Sequence, residues 1–369
     1  MPDKISIVVL AKDEQRCIAR CLASITDHGF EILVVDTGST DETTDIVAKH
    51  DNVRLVHFPW SDSFSAARNF AIESVPAGWI VFLDADEWLS EHAAEELTAR
   101  LSEWSGAPNL ARLVLTPTIF DVDRGIAEEG VPRVFRAESS IRYRGPVHEY
   151  PVVEGERDVR VDLARLGVEF RHDGYHPEVA RDKDKLHRNL RLLDLALAAD
   201  PDNPRWWYYT LRDGLPVFDR DRIVSLCDTL RDLPSDNRRT GELLSTAQLY
   251  RLALGTACQG LAALRDWRAL DRYCGELDRL GSPDGTYFRL MAELSTGVLT
   301  NRDLLGAVRL RGDEKLVATS VVDPAGRHLD ALIVALLERL RGESEAERYR
   351  ALCEPWTDVF FDRGRARAA

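Results

Sequence analysis

The segment Leu83-Asp84-Ala85-Asp86-Glu87-Trp88 places carboxylates directly after the apolar run Trp79-Ile80-Val81-Phe82-Leu83. Alternating carboxylates supply hard oxygen ligands suited to Mg²⁺ or Mn²⁺. A metal held this way bridges a diphosphate and neutralises the charge that develops on it as a leaving group. The plainer reading of the same residues is an acidic first turn of a helix. Two other polar stretches also follow apolar runs: Ala11-Lys12-Asp13-Glu14 after Ile5–Leu10, and Asp36-Thr37-Gly38-Ser39 after Glu31–Val35. No G-x-G-x-x-G follows the first run and no G-x-x-x-x-G-K-[ST] occurs, which argues against a dinucleotide site or a P-loop. No Ser/His/Asp order stands at a strand–helix elbow, so a covalent hydrolase is disfavoured.

These residues need elements to carry them. Ile5–Leu10 is a short β-branched run, as expected of a strand buried on both faces. Asp13–Ile25 sets Ile18, Leu22 and Ile25 on one helical face, and Glu31–Val35 reads as a second strand. Thr40 is positioned to cap a helix over Thr43–Lys49. Val53–Phe58 is a third strand, Ser65–Glu73 a helix, and Trp79–Leu83 a fourth strand. This alternation favours a mostly parallel sheet with helices on both faces, an α/β fold. Ligands of such sheets bind beyond the carboxyl ends of the strands, so the three polar stretches are expected along one edge.

From Ala111 onward, Arg112–Ile119, Arg133–Arg136 and Val159–Phe170 read as strands that close or extend the sheet with antiparallel pieces. Arg133 and Arg136 are expected to alternate along their strand and share one face, there to neutralise a diphosphate or to lie solvated on an edge. After His172 strand signals largely disappear. Lys183–Ala199 carries Leu186, Leu190, Leu193 and Leu197 at amphipathic spacing. It runs into Asp200-Pro201-Asp202-Asn203-Pro204 and then Trp206-Trp207-Tyr208-Tyr209, a join like that between tetratricopeptide repeats. A similar turn, Gly281-Ser282-Pro283-Asp284-Gly285, follows a later helical stretch, while the full repeat signature is missing; a plain helical bundle is the alternative. The domains are therefore set at 1–177, an α/β half, and 178–369, an all-α half.

The composition bounds the partners. A chain of 369 residues allows about two domains, and its net charge of −14 makes it a poor binder of nucleic-acid backbone. Its six cysteines form no CxxC pair, as in a reducing compartment. Cys17 and Cys21 share a helix with apolar neighbours and are expected to be buried. No apolar stretch approaches the roughly 18 residues of a membrane helix, and the N-terminus lacks a small-residue cleavage site. The expectation is a soluble, cytoplasmic protein.

Three blocks, Val34–Asp41, Phe64-Ser65-Ala66-Ala67-Arg68-Asn69 and Leu83–Glu87, together resemble family 2 glycosyltransferases. The resemblance covers about residues 4–175 and extends to Tyr143-Arg144-Gly145-Pro146-Val147-His148-Glu149 and His172-Asp173-Gly174-Tyr175. It implies a GT-A fold, a UDP-sugar donor and a divalent metal, Mn²⁺ or Mg²⁺. With the helical half, the chain is similar to bacterial enzymes that glycosylate bacteriocin peptides on Cys or Ser. Similarity to soluble enzymes acting on lipopolysaccharide core leaves a glycan acceptor as the alternative, and an inactive helical scaffold is a second one.

On this resemblance Asp36 accepts from a uracil N3–H or, alternatively, bonds its own turn. Ala11, Lys12, Glu14, Thr37, Gly38, Arg68, Ala85 and Arg136 join it and Asp84 around the nucleotide sugar. Arg68 offers a planar fork to phosphate or pairs with a nearby Asp; Asn69 caps or braces a loop. The resemblance implies that Asp84 contacts ribose or metal-bound water, that Asp86 binds metal directly, and that His172 is a further ligand or a scaffold residue. Glu87 contacts the sugar or stabilises a helix start. An inverting transfer needs one group to take the acceptor proton; Glu149 is the candidate base and His148 the runner-up, with a structural His–Glu pair as the alternative. The helical half is expected to bind the acceptor or to form a homodimer contact.

Overall fold

The computed structural model describes residues 3–123, 125–155, 160–173, 185–234, 244–297, 299–358 and 360–361. Contacts divide the chain into a first unit up to Ala199 and a second from Asp200. The boundary expected at 177/178, Gly174 and Tyr175, and the starts placed at Val159 and Lys183 lie outside the described residues.

The first unit is built on strands β1 (Ile5–Ala11), β2 (Glu31–Asp36), β3 (Val53–His57), β4 (Trp79–Asp84), β5 (Glu87–Trp88), β6 (Leu113–Asp121), β7 (Ile126–Glu128), β8 (Val134–Arg136) and β11 (Asp162–His172). Their order is β3-β2-β1-β4-β8-β6-β11-β5, with β7 beside β6. A separate hairpin pairs β9 (Ile141–Arg144) with β10 (Tyr150–Val153). The four amino-terminal strands are mutually parallel. Beyond them β8 is antiparallel to both β4 and β6, as expected, whereas β11 runs parallel to β6. The chain between β6 and β11 is long enough for a crossover, so a parallel partner is accessible where a short hairpin would forbid it.

The unbroken apolar run of β1 follows from burial on both faces. Ile7, Val9 and Ala11 face one core with Ile18, Leu22 and Ile25 from the region of helix α1 (Ile18–Ala23) and Leu97 and Leu101 of helix α4 (Glu91–Trp104). Val8 faces the other, with Ala71 and Ile72 of helix α3 (Phe64–Glu73) and Tyr143 and Val153 of the hairpin. Truncating a side chain as enclosed as Leu97 costs about 2–5 kcal/mol. Cys17 and Cys21 are buried as expected. Gly78 makes the tight entry to β4: its φ is +100°, and a Cβ there would lie 2.3 Å from the Lys4 carbonyl oxygen.

Helix α1 is shorter than the span Asp13–Ile25, and helix α2 (Thr43–Val47) is not capped by Thr40. Asp41 Oδ1 accepts from the Thr43 amide at 2.9 Å, while the Thr40 amide donates to Asp13 Oδ1 at 2.7 Å. The polar residues after β1 and β2 thus brace each other across two loops.

The second unit is helical, from Pro204–Gly214 through Arg327–Arg341 and Glu343–Arg350. Asn203 caps the first of these helices, with Pro204 at its start. Trp206 and Tyr208 are buried, and Trp207 and Tyr209 are partly buried against the same helical core. Among the described residues no helix is long and apolar enough to cross a membrane.

Candidate active site

Strand register decides which polar residues meet. Leu10 is paired with Asp84, Ala11 with Asp36, and Asp36 with His57, so β1 to β4 finish level with one another. The three polar stretches therefore share the carboxyl edge of the sheet. At β2 the turn is held from within: Asp36 Oδ2 accepts from Gly38 N and Oδ1 from Ser39 N, each at 3.1 Å, and Gly38 takes φ +103°. His57 Nδ1 lies 3.2 Å from Asp36 Oδ2. Burial opposes the Asp36 charge, yet these donors bring its carboxyl below the usual range. Thr37 donates backbone and hydroxyl to the Ala11 carbonyl, and Lys12 is exposed. The Cys17 thiol donates to Glu14 Oε2 at 3.1 Å.

Beyond β4 lies a ladder of alternating charge. Arg133 Nη1 donates to Asp84 Oδ1 at 3.1 Å and Nη2 to Oδ2 at 2.6 Å. The same Nη2 reaches Glu87 Oε1 at 3.1 Å, and Glu87 Oε2 accepts from the Asp84 amide at 2.9 Å. Arg68 Nη2 stands 3.5 Å from Asp84 Oδ1, and its Nε donates to Glu149 Oε1 at 2.6 Å. The order is Glu87, Arg133, Asp84, Arg68, Glu149. Burial opposes ionisation of Asp84, but Arg133 and Arg68 outweigh it and hold the carboxyl well below the usual range. For Glu87, at 2% exposure, burial wins over Arg133 and the carboxyl is pushed up. Glu87 therefore braces the turn of the acidic motif; its carboxylate neither faces a ligand edge nor starts a helix.

Asp86 goes elsewhere. Register sets His172 opposite Glu87, and His172 Nε2 lies 3.5 Å from Asp86 Oδ2. Desolvation lowers the affinity of His172 for its proton, but Asp86 and the neighbouring charges of Glu87 and Asp84 reverse this, and its pKa is raised. Next to it Asp173 pairs with Arg16 and Arg20, and Arg20 stacks 3.7 Å over Trp88.

The loop bearing the candidate bases is fixed to α3. Asn69 bonds both the carbonyl and the amide of Tyr143, at 3.0 and 2.8 Å, and the Phe64 amide donates to the Pro146 carbonyl at 2.9 Å. Gly145 and His148 take φ of +99° and +50°, a reversal that turns Glu149 back toward Arg68. Arg68 thereby touches both Glu149 and Asp84.

Arg136 needs correction. A spacing of three along a strand of period two puts Arg133 and Arg136 on opposite faces, and β8 runs antiparallel to β4 with Arg136 opposite Trp79. Arg136 thus lies at the far end of β4 from Asp84, bonded to Asp3 and Glu138 and stacked over Trp79. Arg133, expected either to neutralise a diphosphate or to lie solvated on an edge, is instead buried and bonded to Asp84 and Glu87, a placement that strand direction decides. His57 was likewise invisible, because its meeting with Asp36 depends on the β2–β3 register.

Residues 6–108 match the family model described as glycosyl transferase family 2. This segment is a family 2 glycosyltransferase domain. The mixed sheet continues beyond this segment as far as β11, and a helical half follows. The SPbeta prophage-derived glycosyltransferase SunS of Bacillus subtilis (strain 168) is 31% identical over 220 residues, 59% of this chain and 50% of SunS. The chain therefore spans half the length of that relative. A TPR repeat-containing protein of Synechococcus elongatus is 28% identical over 305 residues, covering 75% of this chain and 72% of its own. Residues 1–349 of TarS from S. aureus, solved with UDP-GlcNAc, are 16% identical, cover 72% of this chain and 83% of their own, and superpose with a TM-score of 0.34, too low to transfer any contact.

Proposed function

We propose that the chain is an inverting, metal-dependent glycosyltransferase that moves a hexose from a UDP-sugar to a Cys or Ser/Thr side chain of a peptide or protein. The observation that carries this reading is the presence, beyond β4 of a sheet whose first strands match the family 2 model, of two sets of groups: Arg68 bonded to Glu149 and beside Asp84, and Asp86 beside His172. Similarity to SunS supports transfer of a sugar. The match to the TPR repeat-containing protein spans three quarters of the chain, in keeping with a helical half that serves acceptor binding.

In this reading Ala11, Lys12, Glu14, Asp36, Thr37 and Gly38 form the nucleotide wall, with the Asp36 carboxylate, set by its own turn and by His57, facing the uracil N3–H. Asp84 with Ala85 lies against the ribose side, oriented by Arg133 and Arg68. Asp86 and His172 supply one carboxylate and one imidazole, a donor set suited to Mn²⁺ or Mg²⁺. A cation held by them would offset the negative charge of the departing diphosphate. Glu149 takes the acceptor proton as the nucleophile attacks the anomeric carbon and UDP leaves from the opposite face; Arg68 fixes Glu149 beside Asp84. His148 is the second candidate for the proton.

The test is to incubate the full chain with a panel of nucleotide sugars, with and without Mn²⁺, and with peptides encoded beside its gene, reading mass shifts. A hexose added to a peptide side chain supports the proposal. Transfer to glycans alone replaces the acceptor, and the absence of both binding and hydrolysis for every nucleotide sugar sinks the reading.

A further inference from the structure

The turn that leads into α3 is held by a helix 129 positions further along the chain. Arg191, on the helix Lys185–Ala199, closes a two-pronged pair with Asp62: Nη1 donates to Oδ2 at 2.6 Å and Nη2 to Oδ1 at 2.7 Å. The Trp60 indole N–H donates to the same Oδ1 at 2.9 Å, and the Trp60 and Phe64 rings meet edge to face with centres 4.9 Å apart. Arg188, three positions before Arg191 and so on the same helix face, sets its guanidinium 5.0 Å from the Phe64 ring centre. Asp62 takes φ +57°, a conformation that Asp tolerates, and Ser63 caps α3 by accepting from the Ala66 amide at 3.2 Å. The helix Lys185–Ala199 and α3 belong to the same compact unit.

Helix α3 in turn carries the loop 143–149. Asn69 bonds the Tyr143 backbone, the Phe64 amide donates to the Pro146 carbonyl, and Arg68 bonds Glu149. Asp36 is set instead by its own turn and by His57, and Asp84 chiefly by Arg133. A shift at the start of α3 therefore reaches the loop with Glu149 and His148 before it reaches the carboxylates of β2 and β4. We propose that Arg191, aided by Arg188, is a positioning residue for acceptor use: it clamps the start of α3, and through α3 the loop 143–149, leaving donor binding alone. The inference rests on the reading above in which Glu149 faces the acceptor. Asp62 and Arg191 keep 41% and 53% of their side chains exposed, and an isolated pair of that kind holds little. Here two parallel bonds fix orientation as well as distance, and the indole bond and the ring stack tie the pair to Phe64. Small displacements suffice, because a misplacement of about 1 Å at reacting groups costs about 10²-fold in rate.

The experiment compares the full-length wild type with Arg191→Met, Arg188→Met and Arg191→Lys once circular dichroism and melting verify the fold. Three readings are taken: hydrogen–deuterium exchange over residues 141–150, UDP affinity by calorimetry in Mn²⁺, and kcat and KM for the peptide that takes the sugar in the assay above. For Arg191→Met, exchange over 141–150 is expected to quicken and acceptor KM to rise, each by about fivefold, the upper end for one exposed pair. UDP affinity is expected to stay within about twofold, with the melting temperature almost unchanged. Arg188→Met is expected to act in the same direction and less, and Arg191→Lys, which keeps the charge and loses the fork, to fall between. Asp62→Asn, which suits the same turn, is expected to add less than about twofold on top of Arg191→Met, since the two residues act as one pair. Unchanged exchange over 141–150 in folded Arg191→Met overturns the inference, as does an unchanged acceptor KM or a loss of UDP affinity equal to the rise in acceptor KM. If Arg191→Met does not fold, Arg191→Lys and Arg188→Met decide by the same readings. Wild type that transfers sugar to no peptide fails the proposed function itself and takes the inference with it, a result seen before any variant is made.

Discussion

Asp84 ends β4 and Asp284 opens the helix Asp284–Thr296, and their surroundings stabilise the two carboxylates by opposite means. Asp84 keeps 37% of its side chain exposed and is held by two arginines that are themselves tied to Glu87 and Glu149. Asp284 has no exposed surface. Its oxygens accept from the hydroxyls of Ser282 and Ser320 at 2.7 and 2.6 Å and from the Val321 amide at 2.8 Å, with His328 Nε2 at 3.3 Å. Burial opposes both charges, and in both cases the partners outweigh it and lower the pKa. Dipoles packed around a sealed carboxylate leave no path to a ligand and join the loop before one helix to the start of another. Long cationic side chains at an open sheet edge leave the carboxylate in reach of solvent and transmit its position to other groups. A lowered pKa at both carboxyls is therefore no guide to function; exposure and the kind of partner distinguish them.

That contrast can be broken at either end. Asp86→Asn is expected to lower sugar transfer by about 10²–10³-fold at saturating Mn²⁺ while leaving the melting temperature almost unchanged; retained activity would remove Asp86 from the site. Glu149→Gln is expected to cost about 10²-fold in kcat with little change in donor KM. If His148→Gln shows that pattern and Glu149→Gln does not, the base is His148. In the helical unit the signs reverse. Asp284→Ala strands two hydroxyls, an amide and His328, and is expected to cost about 2–4 kcal/mol in urea unfolding without changing kcat per folded molecule.

The same residue has a pH signature. Because its folded pKa lies below the unfolded carboxyl value of about 3.9, the stabilisation by Asp284 is present above that value and is lost as pH falls through the folded pKa. Wild type is thus expected to lose more stability than Asp284→Asn on going from pH 6 to pH 3, measured by the same unfolding curves. Equal losses would mean that the carboxylate is not what the network holds. The smallest effect is backbone: Gly78→Ala, forced to φ +100° against the Lys4 carbonyl, is expected to cost about 1–3 kcal/mol of stability in the first unit.

The readable parts of the site are those a short segment carries within itself. Asp84, Asp86 and Asp36 each follow a buried strand, and the rule that ligands gather at carboxyl ends applies to each separately. Asn69 was legible only as a residue that caps or braces a loop; that the loop is the one at Tyr143, far along the chain, was not. Arg133, Arg136 and Glu87 were not. Arg133 and Arg136 belong to one three-residue strand with its flank, and which of them reaches Asp84 depends on the direction in which that strand pairs. Glu87, left open between a sugar contact and a helix start, is instead enclosed, because β5 folds back onto β11 and buries it.

Local sequence therefore determined the alternation of elements, the two-faced burial of the parallel strands and the carboxylates presented beyond them, since these follow from periodicity and chain order alone. Tertiary structure decided the parallel run of β11 beside β6, the arginine ladder joining Glu87 to Glu149, and the separation of Asp84 from Asp86 into different sets of partners. The physical reason is common to all three. A charged side chain a few residues from its neighbour can be sent to either face and either end of a sheet, and only strand register and direction, set by contacts far apart in the chain, fix which counter-charge it meets.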